Sequence, residues 1–387
     1  NVALGVSGSI AAVTVVELVH ELRRQGAAVR GVMTDSARGI IHPWAVEFAT
    51  ERDVITEITG RVEHVELCGR DGWADVLLLA PATANTVGKV ASAVDDTPVT
   101  TCATTALGAG VPVVAVPAMH EPMYDHPGVL DALDRVESWG VDVVDPRIEE
   151  GKAKIASREA IVTATARATT EDSLAGTHVV VTAGATAEAV DPVRILTNRA
   201  SGKTGRAVAR ACHVRGADVT LVHDGGEVHY ADTLQVESAA EMRDAVSAAV
   251  AGAGGDAAPA ADALVSAAAI SDYTVGTAPE KLRSGEPRRL DLDPTPKLLD
   301  GVRDAYPALP IVGFKTETSG DDDAMADAAS DLRDRLNCAF VVANDASVMG
   351  ADDTRALLVG ADGTEAFSGS KPGLGDAVAA RLAAVLN

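Results

Sequence analysis

Hydroxyl-rich turns and a small set of lysines are the residues of this chain whose types and spacing could do chemistry. Gly5, Ser7, Gly8 and Ser9 lie between an apolar run and a helically spaced one, so exposed N–H groups, a helix dipole and hydroxyl donors meet there. That is chemistry for a phosphate. The turn is not G-x-G-x-x-G, so no dinucleotide fingerprint is read from it. Thr34 and Ser36, at the end of the next strand-like run, can reach the same phosphate, and Thr83, Asn85 and Thr86 are hydrogen-bonding groups suited to a polar heterocycle. The eight lysines are Lys89, Lys152, Lys154, Lys203, Lys281, Lys297, Lys315 and Lys371, against 25 arginines. In a chain that otherwise uses Arg or acids on its surface, a retained ammonium on a flexible stem is expected to serve a phosphate or carboxylate ligand. "SGKTG" is not a P-loop, because Thr197 stands where G-x-x-x-x-G-K-[ST] requires Gly. His64 alone, without metal spacing, would read as structural or solvated.

The elements that must position these groups alternate. "NVALGV", "AAVRGVMT", "ADVLLLAPA" and "GVPVVAVPAM" are β-rich apolar runs separated by stretches long enough for crossover helices. Continuous hydrophobicity means strands covered on both faces, hence a parallel, doubly wound sheet whose ligands sit at the strand carboxyl ends. "ATARATTEDSLAGTH" reads as a linker, and a second α/β series follows: "VVVTAG", "ADVTLVHD", "ADALVSAAAISDY", "PIVGFKTET", "CAFVVANDAS", "RALLVG". The expected fold class is α/β with two doubly wound, Rossmann-like domains, 1–172 and 173–387; "AVAGAGGDAAPAADA" is expected to be a surface loop.

Composition bounds the function. A chain of 387 residues is expected to hold two domains, and its net charge of -23 excludes a general nucleic-acid or anionic-membrane surface. The apolar fraction of 47% excludes disorder. Four scattered cysteines without C-x-x-C, the lack of an 18-residue apolar run and the lack of a leader point to the cytosol. The opening Asn1, directly on a strand-like run, reads as a short natural N-terminus having been removed. An acidic, Lys-poor but well-cored composition is what selection for solubility in high salt could produce, and a halophilic archaeon is the expected source.

"GVSGSIAA", "PATANTVGKVASAVDD" and "VPAMHEPMYDHP", in that order over the first 170 residues, resemble the flavoproteins that decarboxylate peptide-like cysteine, the phosphopantothenoylcysteine decarboxylases. The resemblance implies FMN as cofactor, with Gly8, Ser9, Thr34, Ser36, Thr83, Asn85 and Thr86 around it, His64 of "RVEHVELCGR" as catalytic base, and Met119 and Met123 near substrate. Two departures stand out. His120 occupies the place where that family has Asn in "PAMN", and "PRIEEGKAKIAS" lacks the flap Cys and offers Lys152 and Lys154 instead.

From residue 179 on, "VVVTAGATAEAVDPVRILTNRASGKTG", "SAAAISDY", "PEKLRS", "VGFKTET" and "VANDAS" resemble phosphopantothenate-cysteine ligase over about 210 residues. That family joins cysteine to 4'-phosphopantothenate with CTP and Mg2+, through an acyl-cytidylate. Carried over by motif, Asn198 acts on the acyl-cytidylate, Lys281 and Lys371 hold the triphosphate, Phe314 contacts the nucleotide, and Asn344 with Asp345 reads cytosine. Asp272 is a candidate for metal or ribose. As residues alone, Asp272 is equally a turn cap and Phe314 a core aromatic. Thr354 and Arg355 stand where that family places Asn before the final strand. The two resemblances imply consecutive steps of coenzyme A biosynthesis on one chain and homo-oligomers, trimeric through the flavin domain and dimeric through the ligase domain. A flavin-binding regulatory subunit without decarboxylase activity is the alternative.

Overall fold

The computed structural model describes residues 1–149, 152–252, 259–285, 287–317, 321–345 and 353–387. The chain divides into two compact units, Asn1–Thr170 and Glu171–Asn387.

In the first unit, β1 (Val2–Val6) is buried at every position. The helix Val15–Arg24 buries Val15, Leu18, Val19 and Leu22, the i, i+3, i+4, i+7 stripe of an amphipathic helix, and returns the chain to β2 (Val29–Met33), parallel to β1. β3 (Val76–Ala82) and β4 (Val113–Pro117) extend the sheet. β5 (Met119–His120) leaves it, and β6 (Asp142–Val143) closes the order β2-β1-β3-β4-β6. Every pair is parallel. Both faces are covered: Val2, Leu4, Val6 and Leu78 belong to one core, Ala3, Leu77 and Leu79 to another. That is why the strands read as continuous apolar runs. Beside the sheet, β7 (Arg147–Glu149) and β8 (Lys152–Lys154) form an antiparallel pair that β5 joins, with His120 opposite Lys152.

The second unit begins with β9 (His178–Thr182), the hairpin β10 (Ala187–Ala189) and β11 (Ile195–Thr197), then β12 (Asp218–His223), β13 (Asp232–Gln235) and β14 (Ala263–Ser266). The hairpin β15 (Tyr273–Val275) and β16 (Leu292–Pro294) follows, then β17 (Ile311–Glu317), β18 (Phe340–Asp345), β19 (Asp353–Gly360) and β20 (Gly363–Ser370). Among the described residues one sheet runs β13-β12-β9-β14-β17-β18-β19-β20. Its first six strands are parallel, whereas β19 and β20 are antiparallel. The doubly wound expectation holds, with β19 and β20 added as an antiparallel edge to the parallel strands. The stretch from residue 345 to 353 is too short for a crossover, so "RALLVG" turns back on β18. β20 is mostly exposed and polar, without the alternation that marks a half-buried strand. Most of the Ala- and Gly-rich loop expected after the helix Ala239–Ala251 lies outside the described residues.

Candidate active sites, one in each unit

Three of the hydroxyls singled out in the first unit are helix caps at strand ends. Ser9 Oγ accepts from Ala11 N at 3.4 Å, Thr34 Oγ1 from Ala37 N at 3.2 Å and Thr83 Oγ1 from Thr86 N at 3.2 Å. They follow β1, β2 and β3, the carboxyl edge at which parallel sheets bind ligands. Buried Ser7 registers two of these turns, because its hydroxyl donates to Pro81 O at 2.6 Å and accepts from Thr83 N at 3.0 Å. Gly8 sits so close to the next turn that a Cβ there would lie 2.4 Å from Ser36 Oγ, which makes glycine obligatory.

Two clefts meet along this edge. One, of about 590 Å³, is lined by Gly8, Ser9, Thr83, Met119, His120, Met123 and Lys154, together with Arg147 and exposed Ile10. Among the described residues its lining holds three basic side chains and no carboxylate. The other, of about 650 Å³, is lined by Thr34, Ser36 and Asn85 with Arg38, Lys89, Asp95 and Asp96. The expected cofactor residues are thus shared between two clefts that touch where Gly8 abuts Ser36. Thr86 lines neither; it is buried, and its hydroxyl lies 3.0 Å from that of Thr83. Lys152 is on β8, opposite His120.

His64 lies apart from both clefts, on the helix Glu63–Cys68. Its Nδ1 is buried and has no hydrogen-bond partner among the described residues. Beside it, donation from the Thr59 hydroxyl and from backbone N–H groups draws the Glu63 carboxyl down to about 2. A buried ring nitrogen without a partner among the described residues is open to a hydrogen bond with a bound ligand.

The second unit builds a cleft of about 370 Å³. The helices Lys203–Val214 and Lys371–Leu386 both start at it, so two sets of helix N–H groups and two lysines converge, and Lys315 from β17 supplies a third ammonium. Gly184 and Gly202, at φ of 82° and 69°, let the turn after β9 approach the first helix; a Cβ on Gly202 would lie 2.9 Å from Gly184 N. Lys371 is 6% exposed. Asp272, Phe314 and Asn344 line the same cleft. Asn344 Oδ1 accepts from Thr316 Oγ1 at 3.1 Å, and Phe314 leans on the core below. Among the described residues Asp272 is the one carboxylate on the walls, and Lys297 is paired with it. Among the described residues no group of three or more His, Cys, Asp or Glu could cage a metal ion.

Three expected residues fall outside this cleft. Asn198, just after β11, lines a neighbouring cleft of about 660 Å³ with Asp224, Glu237 and Glu241. It is held firmly, donating Nδ2 to Ala269 O at 2.7 Å and accepting at Oδ1 from Ala200 N at 3.0 Å. Ala200 lines both clefts, so the two adjoin. Lys281 is exposed and lines neither, and Asp345 ends β18 off the wall. Conversely, Lys203, Lys315 and Thr354 are cleft residues that motif reading did not assign. The signal for the lysines was their scarcity. Thr354 faces inward while Arg355, next on the strand, turns outward to Asp322.

Fold and clefts describe a two-unit α/β protein with a cleft at the carboxyl edge of each sheet. A flavoprotein family model matches residues 1–170, and the model for the DNA/pantothenate metabolism flavoprotein C-terminal domain matches residues 174–386. Over 366 residues the chain is 45% identical to the coenzyme A biosynthesis bifunctional protein CoaBC of Thermococcus kodakarensis, covering 94% of this chain and 89% of that one. It is 32% identical to the Methanocaldococcus jannaschii protein of the same name, covering 99% and 93%. A solved C-terminal domain of a CoaBC protein overlays 56% of this chain and 98% of its own length, at 25% identity and a TM-score of 0.45. The chain belongs to the family of coenzyme A biosynthesis bifunctional proteins.

Proposed function

We propose that the chain performs two consecutive steps of coenzyme A biosynthesis, CTP-dependent ligation of cysteine to 4'-phosphopantothenate in the second unit and FMN-dependent decarboxylation of the product in the first. The observation that carries this reading is the meeting of Lys203, Lys315 and Lys371 with two helix N-termini on one cleft, in a chain whose net charge is -23. Such a cleft fits a triphosphate, and its fixed positive charge can stabilise the charge that develops when a carboxylate attacks the α-phosphate and pyrophosphate leaves.

Phe314, Thr316 and Asn344 form the wall suited to a base, with Asn344 the candidate for reading cytosine and Asp345 behind it. Mg2+ would be carried by the phosphates themselves, with Asp272 as the candidate carboxylate on that wall. Asn198, one cleft away, is assigned to the acyl-cytidylate while the amine of cysteine displaces CMP, and Lys281 is assigned to the triphosphate from its loop.

In the first unit, the capped strand ends and the Gly8–Ser36 approach fit a flavin phosphate, and the apolar cleft beside them fits a flat ring system. Bound FMN would supply the oxidation of the substrate thiol that creates an electron sink for loss of carbon dioxide. His64, with its unpartnered Nδ1, is the base for the thiol side. Met119, His120, Met123 and Lys154 line the substrate end, where Arg147 and Lys154 supply positive charge for a carboxylate. A cytosolic location and trimer- and dimer-forming assembly complete the reading. Among the described residues no helix is long and apolar enough to cross a membrane. Pyrophosphate release that needs both CTP and 4'-phosphopantothenate tests the ligase half; equal use of ATP would overturn the assignment of the base.

A further inference from the structure

The loop 276–285, which carries Lys281 from β15 toward β16, has no helix or strand of its own, yet it is stitched to the hairpin β10–β11. Thr277 Oγ1 donates to Ala189 O at 2.9 Å and Ala278 N to Val190 O at 3.0 Å. The last stitch uses a side chain. Leu282 N donates to Asp191 Oδ2 at 3.0 Å, while Leu282 O accepts from the Arg194 guanidinium.

Asp191 has a side-chain exposure of 0%, and its two oxygens do different things. Oδ1 accepts from Val193 N at 2.8 Å and Arg194 N at 2.9 Å, closing the hairpin turn. Oδ2 grips the residue beside Lys281 and pairs with Arg194 at 2.7 Å. Burial pushes this carboxyl up, but donation from the N–H groups of Leu282, Val193 and Arg194, aided by the guanidinium, leaves it below its ordinary value. A buried carboxylate is tolerated only when its oxygens are satisfied in this way. The turn alone needs one oxygen. The second oxygen reaches beyond the turn to the loop, holding Leu282 N as well as the Arg194 guanidinium.

We propose that Asp191 is a positioning residue for ligation: through Leu282 it fixes the loop of Lys281 to the same hairpin that leads into Asn198. The two residues assigned to the phosphates and to the acyl intermediate are thereby held on one framework. This rests on the reading of Lys281 as a ligase residue.

Asp191→Asn separates the two roles. The amide keeps an oxygen for the turn but must set its NH2 against the Leu282 N–H and the Arg194 guanidinium, two donors it cannot satisfy. Displacement of a catalytic loop by about 1 Å can cost about a hundredfold in rate. The expected result is a ten- to hundredfold lower kcat for CTP-dependent pyrophosphate release at saturating CTP, with a melting temperature that falls less than in Asp191→Ala, where both oxygens are lost. Decarboxylation of supplied substrate, measured on the same sample, stays unchanged because neither residue belongs to the first unit. Adding Asp191→Asn to Lys281→Met should lower the rate no further. Full kcat in Asp191→Asn overturns the proposal, as does a rate loss matched by the same fall in melting temperature as Asp191→Ala. If Lys281→Met is itself harmless, the assignment of Lys281 fails and the proposal with it. If Lys281→Met is inactive while Asp191→Asn is normal, only the positioning role fails.

Discussion

The two units present their sites in different states of completeness. In the second, one cleft gathers three ammonium groups, two helix starts, Phe314, Asn344 and Asp272, all from a single folded unit. In the first, the candidate residues are divided between two touching clefts, His64 stands outside both, and large apolar side chains lie bare nearby: Ile10 at 77%, Trp44 at 74% and Phe48 at 77% exposure. A phosphate site needs only charge and N–H groups, which helix starts and lysines supply locally. A flavin site must also cover an apolar ring system, and this chain leaves its apolar surface open. The cleft of the second unit thus gathers its positive charge within that unit, although Asn198 and Lys281 lie outside it, whereas the first unit leaves apolar side chains uncovered.

The largest expected effect would break that contrast at its weak end. His64→Asn should leave a yellow protein whose carbon dioxide release falls by about 10² to 10⁴, the range for loss of a positioned base, with ligation unaffected. Lys371→Met, at the strong end, should lower kcat/KM for CTP by about 10² to 10³, comparable to loss of a charge-stabilising donor, and leave decarboxylation intact. Gly8→Ala should drive a methyl group into Ser36 and reduce bound flavin, read as absorbance per chain, without affecting pyrophosphate release. Smallest of all, Arg355→Ala removes an exposed pair with Asp322 and should shift stability by no more than about 1 kcal/mol, read as a melting temperature. The acidic surface sharpens the contrast in another way. If the composition reflects a saline setting, lowering salt should unfold the chain, and full activity in dilute buffer lost above molar salt would contradict that.

Much of this was legible in the sequence, for identifiable reasons. Continuous apolar runs announced the parallel strands, because a strand covered on both faces has no polar side. Lys203, Lys315 and Lys371 stood out because ammonium groups are rare in this chain. The antiparallel β19 and β20 were not legible: direction depends on the short link after β18, and β20 carries no apolar stripe. The division of the flavin residues was hidden as well, since Ser9 and Thr34 look alike in sequence and only the close approach of Gly8 to Ser36 reveals where one cleft ends and the next begins. Asp191 was passed over because a turn aspartate is ordinary until its second oxygen is found on Leu282.

The central claim is that one chain runs ligation and then decarboxylation at separate sites. The most direct test supplies the purified, FMN-loaded chain with 4'-phosphopantothenate, cysteine, CTP and Mg2+, and measures the mass of the product. The account predicts 4'-phosphopantetheine, with the cysteine carboxylate gone, and 4'-phosphopantothenoylcysteine alone from the His64→Asn variant. Failure to form any cysteine adduct, or a product from the unaltered chain that keeps its carboxylate, would contradict it.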